Sequence, residues 1–435
     1  MVTVAEVKLW GRTIGAVSLE DGSNYAAFQY VPEFAGSRIE ISPINMPLTE
    51  RIYTFPQLPP KTFHGLPGML ADSLPDQFGH ILIDAWLATQ GRTPDRFNAI
   101  ERLCYIGTRG MGALEFAPAL GPRPRTAKKI EIDSLVKLAS EVLTHRRSLK
   151  ATFATEQRKK ALSDILRVGT SAGGARAKAV IAWNRQTNEV RSGQVAAGPG
   201  FDYWLLKFDG VSGNKDKELD DPKGYGAIEY AYCLMARAAG ITMTECRLLE
   251  EGGRRHFMTR RFDRLASGEK MHMQSLCALA HFDFNVAGAY SYEQAFLTIR
   301  QLDLPMAAIE EQFRRMAFNI VARNQDDHVK NIAFLMDKAG QWSLAPAFDV
   351  TYSYNPEGSW TATHQMSMNS KRDGFTLADF RACANAAQMK RGRAEAILGE
   401  VTEAASKWPQ YAEQAQVIST WRNQIQHNLR LKMVR

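Results

Sequence analysis

Asp326 and Asn331, in the run Asn324-Gln-Asp-Asp-His-Val-Lys-Asn331, stand five residues apart. That is the spacing between the base and the metal-binding amide of kinase catalytic loops. The residue types suit the chemistry. A carboxylate orients an attacking hydroxyl, and an amide oxygen five residues on binds Mg²⁺ without adding a full negative charge. Asp349, in Leu344-Ala-Pro-Ala-Phe-Asp349, stands 23 residues after Asp326 and offers a second carboxylate to bridge Mg²⁺ and phosphate. Each residue alone reads as a polar turn or a helix cap; the three in this order favour phosphoryl transfer.

The upstream half supplies partners. Lys207 is the lone cation of the apolar run Tyr203-Trp-Leu-Leu-Lys-Phe208 and needs a counter-charge if it points inward. Glu229 shares a helix face with Cys233, Ala236 and Gly240. A strand Lys paired with a Glu of the following helix is the ion pair that positions nucleotide phosphates in kinases. The segment Gly169-Thr-Ser-Ala-Gly-Gly-Ala-Arg-Ala-Lys178 matches neither the Walker A pattern nor G-x-G-x-x-G. Its glycines, Gly173 and Gly174 among them, still permit backbone N–H groups to approach a phosphate; a flexible turn is the plainer alternative. Gly107-Thr-Arg-Gly-Met-Gly112 is a second glycine cluster, but a strand rather than a helix N-terminus follows it. The nine histidines form no HExxH or other paired ligand motif, so no zinc site is expected.

Hydrophobic patterning gives the elements that position these groups. Strands are predicted at Val4–Trp10, Thr13–Leu19 and Tyr25–Tyr30, and helical structure over 66–104, with Thr93-Pro94 as a helix start. Pro118–Lys129 reads as a linker, and helices follow near Asp133 and Thr155. Strands return at Lys178–Asn184, Glu189–Ala196, Tyr203–Phe208, Cys246–Glu250 and His256–Phe262, around a helix at Ala227–Ala239. From Met273 the chain reads as helical, at 290–300, 306–323, 376–387, 392–405 and 409–430, with a strand-like patch between Asn331 and Ser353. The helix before Asp326 places Ile309, Phe313, Met316, Ala317, Ile320 and Val321 on its apolar positions.

The chain has 435 residues, 45% hydrophobic and 23% charged, which excludes a disordered or fibrous protein. No apolar run reaches the length of a membrane span, and the N-terminus carries no signal-peptide pattern. Five cysteines without a CxxC pair predict reduced, buried thiols and a cytoplasmic home. The net charge of +8 comes in small groups such as Arg254-Arg255 and Arg314-Arg315, which read as solvated helix faces, with a polyanionic partner as the alternative.

Taken in order, Leu66–Gly79, Gly107–Pro118, Gly169–Lys178, Arg261-Phe-Asp-Arg264, Asp326–Asn331 and Leu344–Asp349 resemble the HipA family, the kinase toxins of bacterial toxin–antitoxin modules. The resemblance implies an α+β, bilobal protein-kinase-like fold. It has an N-terminal β-rich subdomain (1–125), a kinase N-lobe with the Gly-rich loop (126–264) and an all-helical C-lobe (265–435). It implies ATP and Mg²⁺ as cofactors, Asp326 as catalytic base, and Asn331 and Asp349 as metal ligands. Lys207, Glu229, Arg261, Phe262, His328, Lys330, Gly173 and Gly174 form the implied ATP-binding set, and Ser171 is the implied autophosphorylation site, with Thr170 as the adjacent alternative. The implied partners are a protein substrate and a small helix-turn-helix, HipB-like antitoxin, with DNA reached only through that complex and no membrane. Relatives of the family target aminoacyl-tRNA synthetases; nothing in this sequence selects a target. The chain departs from eukaryotic kinases in having Asn-Gln-Asp for His-Arg-Asp, His328 where a phosphate-contacting Lys stands, and Arg260 beside the hinge. A small-molecule phosphotransferase and an idle DNA-complex partner remain open as alternatives.

Overall fold

The computed structural model describes residues 2–75, 77–121, 129–144, 165–166, 176–211, 223–265 and 267–433. The predicted helix near Thr155 and the loop carrying Thr170, Ser171, Gly173 and Gly174 lie outside these residues. Three antiparallel sheets organise the described residues. The first has the order Tyr53–Thr54, Ala27–Tyr30, Arg12–Ser18, Val4–Leu9, Leu114–Ala117. The second has the order Val190–Ser192, Lys178–Trp183, Asp202–Lys207, Arg254–Arg260, Cys246–Glu251.

The second sheet separates two packing environments by the two-residue period of a strand. Ala179, Ile181, Trp204, Leu206 and Met258 turn to one face and join the core formed with helices Gln77–Thr89 and Ile132–Thr144. The alternate positions of the sheet, Lys207 and Phe257, face helix Tyr225–Ala238. That helix belongs to the largest core, a continuous cluster that includes its Tyr232 and Met235, the first sheet's Val7 and Phe28 and the helical half's Phe313, Ile397 and Trp408. One apolar interior therefore runs from the N-terminal sheet to the C-terminal helices.

The expectation of an all-helical C-terminal part is corrected. His272–Ser275, Ala333–Met336 and Trp342–Leu344 form a third antiparallel sheet among residues 265–435. Its first strand is short and its inward residues, His272 and Gln274, are polar but fully buried. Gln274 Nε2 offsets that cost by donating to Ile41 O at 2.6 Å. The segment 409–430 is two helices, Trp408–Gln414 and Ser419–Asn428, broken where Gln416 takes a left-handed φ of 54°. Thr93-Pro94 opens only a 3₁₀ turn, and the capping box sits at Asn98 and Glu101, starting Ala99–Ile106. Among the described residues no helix is long and apolar enough to cross a membrane. All five cysteines are buried and unpaired by disulfides.

Candidate active site

Lys207 ends its strand on the face turned to helix Tyr225–Ala238, where Glu229 waits one turn in. Gly226 permits the approach: a Cβ there would lie 2.5 Å from Arg255 O on the neighbouring strand. Lys207 Nζ stands 2.5 Å from Glu229 Oε1 and is also paired with Asp349 Oδ1. Arg176 donates from Nη1 to Glu229 Oε2 at 2.9 Å, and its guanidinium lies 4.7 Å from the Tyr225 ring centre. Lys178 is the cross-strand partner of Lys207 and is likewise buried. Two carboxylates thus sit among three cations. Burial opposes the charge of Lys207, but Asp349 and Glu229 outweigh it and hold its pKa above the ordinary range. Burial likewise opposes ionisation of Asp349, yet Lys207 and Lys178 bring its pKa down to about 2. Asp349 also adopts a left-handed φ of 53°, a conformation that costs a non-glycine residue energy.

The segment 324–331 follows helix Met306–Val321, whose six expected apolar positions are all buried. The helix stops at Ala322, and Arg323 turns the chain with a φ of 57°. Asp326 remains 44% exposed, with Oδ1 accepting from Trp360 Nε1 at 2.7 Å. Asn331 Nδ2 donates to Asp326 O at 2.8 Å, which fixes the amide and leaves Oδ1 as its acceptor atom. Asp327 is buried and accepts from Tyr292 Oη (2.6 Å), His364 Nδ1 (2.8 Å) and Gln365 N (2.7 Å). Burial acts against its ionisation, and the His364 contact with these hydrogen bonds still holds its carboxyl below the usual range. His328 Nε2 lies 3.9 Å from Asp326 Oδ1, beyond hydrogen-bond reach. The His328 ring and the Lys330 ammonium both lie against Phe284.

Arg261 belongs to a different network. Its guanidinium grips Asp263 through Nε (2.9 Å) and Nη2 (2.7 Å) and is almost fully buried. Arg264 also donates to Asp263, and reaches Gly110 O and Gly112 O, while Gly112 N donates to Asp263 Oδ2 at 2.8 Å. The Gly107–Gly112 cluster is thus the socket of this joint, and Gly112 needs its positive φ of 70° to sit against Met273. Phe262 packs on Phe348, with ring centres 5.7 Å apart, beside Asp349. The Arg261 side chain is committed to Asp263 in this arrangement; Phe262 is the member of the pair that reaches toward the site.

The structure therefore brings Lys207, Glu229 and Asp349 together and joins Asn331 to Asp326. The donor set fits a hard divalent cation. It offers one carboxylate and one amide oxygen, as suits Mg²⁺, which keeps waters and shares phosphate oxygens, and among the described residues no histidine or cysteine cluster competes. Sequence reasoning missed Lys178, Arg176, Asp327 and Trp360 as members. Lys178 opens one strand and Lys207 closes the strand beside it in the sheet, but Val190–Ser192 lies between them in sequence, so their pairing is visible only in the fold. Trp360 likewise carries no mark in the sequence.

Residues 170–408 match the HipA-like C-terminal domain and residues 5–117 match the HipA N-terminal domain. Curated protein sequences give no match. Among solved structures, HipA of Shewanella oneidensis, determined with HipB and operator DNA, aligns at a TM-score of 0.67 and 17% identity, over 99% of this chain and 96% of that one. The likeness is one of fold. The proinflammatory kinase CtkA of Helicobacter pylori aligns at a TM-score of 0.37 and 13% identity, over 52% of this chain and 84% of that one.

Proposed function

The chain belongs to the HipA family, and on that footing we propose that it is an ATP-dependent protein kinase acting on serine or threonine hydroxyls. One observation carries the reading: the Lys207 ammonium pairs with both Glu229 and Asp349, and Asp349 lines one pocket with Asn331, whose amide is tied to Asp326. This is the constellation that phosphoryl transfer from a nucleotide requires, since positioning and charge stabilisation supply most of its catalysis. In the proposed reaction Lys207, fixed by Glu229, binds nucleotide phosphate, with Lys178 adding a second positive charge. Asp326 accepts the proton of the incoming hydroxyl. Asn331 and Asp349 would hold Mg²⁺, which neutralises charge developing on the phosphate oxygens.

Ser171 in the Gly-rich segment remains the proposed autophosphorylation site, a proposal that rests on the sequence. Phosphorylation there would add about two negative charges to the segment that the family resemblance assigns to nucleotide phosphates, and so oppose ATP. We further propose a small helix-turn-helix antitoxin as partner, with DNA contacted through that complex and growth arrest as the outcome of uncomplexed activity. The support is the Shewanella HipA, which was solved with HipB and its operator. Incubation with γ-labelled ATP and Mg²⁺ tests the enzyme class. Label on protein serine or threonine is expected; label passing only to small alcohols such as aminoglycosides would overturn it. Expression of the Asp326→Asn chain tests the arrest, and arrest equal to that of the parent would reject a kinase cause.

A further inference from the structure

Trp360 lies 34 residues beyond Asp326, in the irregular stretch that follows Asp349, yet its indole Nε1–H meets Asp326 Oδ1 at 2.7 Å. The contact is built rather than incidental, because the segment 360–365 is fastened to the catalytic loop on both sides. Gln325 Nε2 donates to Thr361 O at 3.1 Å. Gln365 Nε2 donates back to Gln325 O at 3.3 Å and also to Trp360 O. Asp327, the neighbour of the base, takes Gln365 N and His364 Nδ1. Gln325, Asp327 and Gln365 are each at most 4% exposed, so this clamp is sealed from water.

Asp326 itself is exposed enough to turn about its own side-chain bonds. Its carboxylate needs an external tether if one oxygen is to face the incoming hydroxyl in each turnover. An indole N–H is a donor only. It can occupy Oδ1 without ever competing for the proton that Asp326 must accept, and it leaves Oδ2 as the working oxygen. Histidine, serine or a carboxylate at this place would add a second basic atom. We propose that Trp360 is the positioning residue of the base: its N–H holds Asp326 in the rotamer that presents Oδ2 to the acceptor hydroxyl. The assignment rests on the phosphotransferase reading and names a further residue of that same site.

Trp360→Phe keeps a ring in the pocket and deletes the N–H, whereas Trp360→His restores an N–H of different reach. Transfer of label from γ-labelled ATP to casein and to the chain itself is measured for both variants, beside the parent and Asp326→Asn, with thermal unfolding midpoints. The expected result is a fall in kcat for Trp360→Phe approaching about 100-fold, the scale of a misplaced catalytic group. KM for ATP should be unchanged and the midpoint within a few degrees of the parent, with partial recovery of kcat in Trp360→His. An active parent, an inactive Asp326→Asn chain and a Trp360→Phe kcat equal to the parent's would overturn this assignment alone. So would a loss of rate that tracks the unfolded fraction. A parent that transfers no phosphate overturns the phosphotransferase reading, and this assignment with it.

Discussion

Lys207 is the residue on which most of the site's charge depends. It neutralises Glu229 and Asp349 at once, with Lys207 and Glu229 sealed from solvent and the Asp349 side chain 25% exposed. Lys207→Met keeps much of the volume and removes the charge, leaving Asp349 without its nearest cation. Unpairing a buried charge costs about 3 kcal/mol or more, so the thermal midpoint should drop. Phosphoryl transfer should fall by about 100-fold in a labelled-ATP assay. Unchanged transfer would remove Lys207 from the site. Spacing made Asp326, Asn331 and Asp349 legible in the sequence as candidates, and an unbalanced cation in an apolar strand did the same for Lys207. The clamp around Asp327 was not legible, because an Asp beside a better-motivated Asp looks redundant until its three donors, scattered from Tyr292 to Gln365, are in place. Nor was the burial of the Arg261 guanidinium. Its counter-ion stands two residues away, and only the fold decides whether a nearby pair is solvated or sealed.

Among the elements, helix Tyr225–Ala238 converts sheet geometry into site geometry. Its first turn touches the strand backbone at Gly226, and Glu229 follows on the same inward face. Gly226→Ala would press a methyl group against Arg255 O and lift the helix start from the sheet. Overpacking of this kind costs about 1–3 kcal/mol. We expect a transfer rate reduced further than the stability loss alone explains, because the Lys207–Glu229 pair lengthens. Kinetics on the folded variant check this, and a normal rate would contradict it. This helix and Met306–Val321 were readable because long amphipathic periods carry much redundant signal. The strand His272–Ser275 was not. It is four residues long, its buried members are polar, and its partner Ala333–Met336 comes some 60 residues later. The break in the C-terminal helical region was hidden for a related reason, since Gln416 takes its left-handed turn without a glycine to announce it.

At the scale of the molecule, the scattered basic groups turn out to be partly internal fasteners rather than a free positive surface. Arg255 reaches Ala415 O and Gln416 O, tying the second sheet to the C-terminal helices. Arg314 and Arg315 likewise spend donors on Ala239 O and Ala345 O. The fold also sets a pH limit. His256 and His272 are completely buried, and burial lowers their pKa values from 6.5 to about 4 and about 3. Below pH 6.5 the unfolded chain takes up protons on both that the folded chain refuses, so stability falls with pH across that window. Each group contributes a slope of up to about 1.4 kcal/mol per pH unit. Unfolding midpoints between pH 7 and 5 should show the decline, with His272→Gln flattening it; a midpoint independent of pH would contradict the buried neutral state. The central claim is that Asp326 and Asp349 act together in phosphoryl transfer, and it is tested most directly by one comparison. Initial rates of label transfer from γ-labelled ATP with Mg²⁺ are measured for the parent, Asp326→Asn and Asp349→Asn. A fall of about 100-fold or more in both variants, with folding intact, is the predicted result. Parent-like transfer in either folded variant would contradict the account.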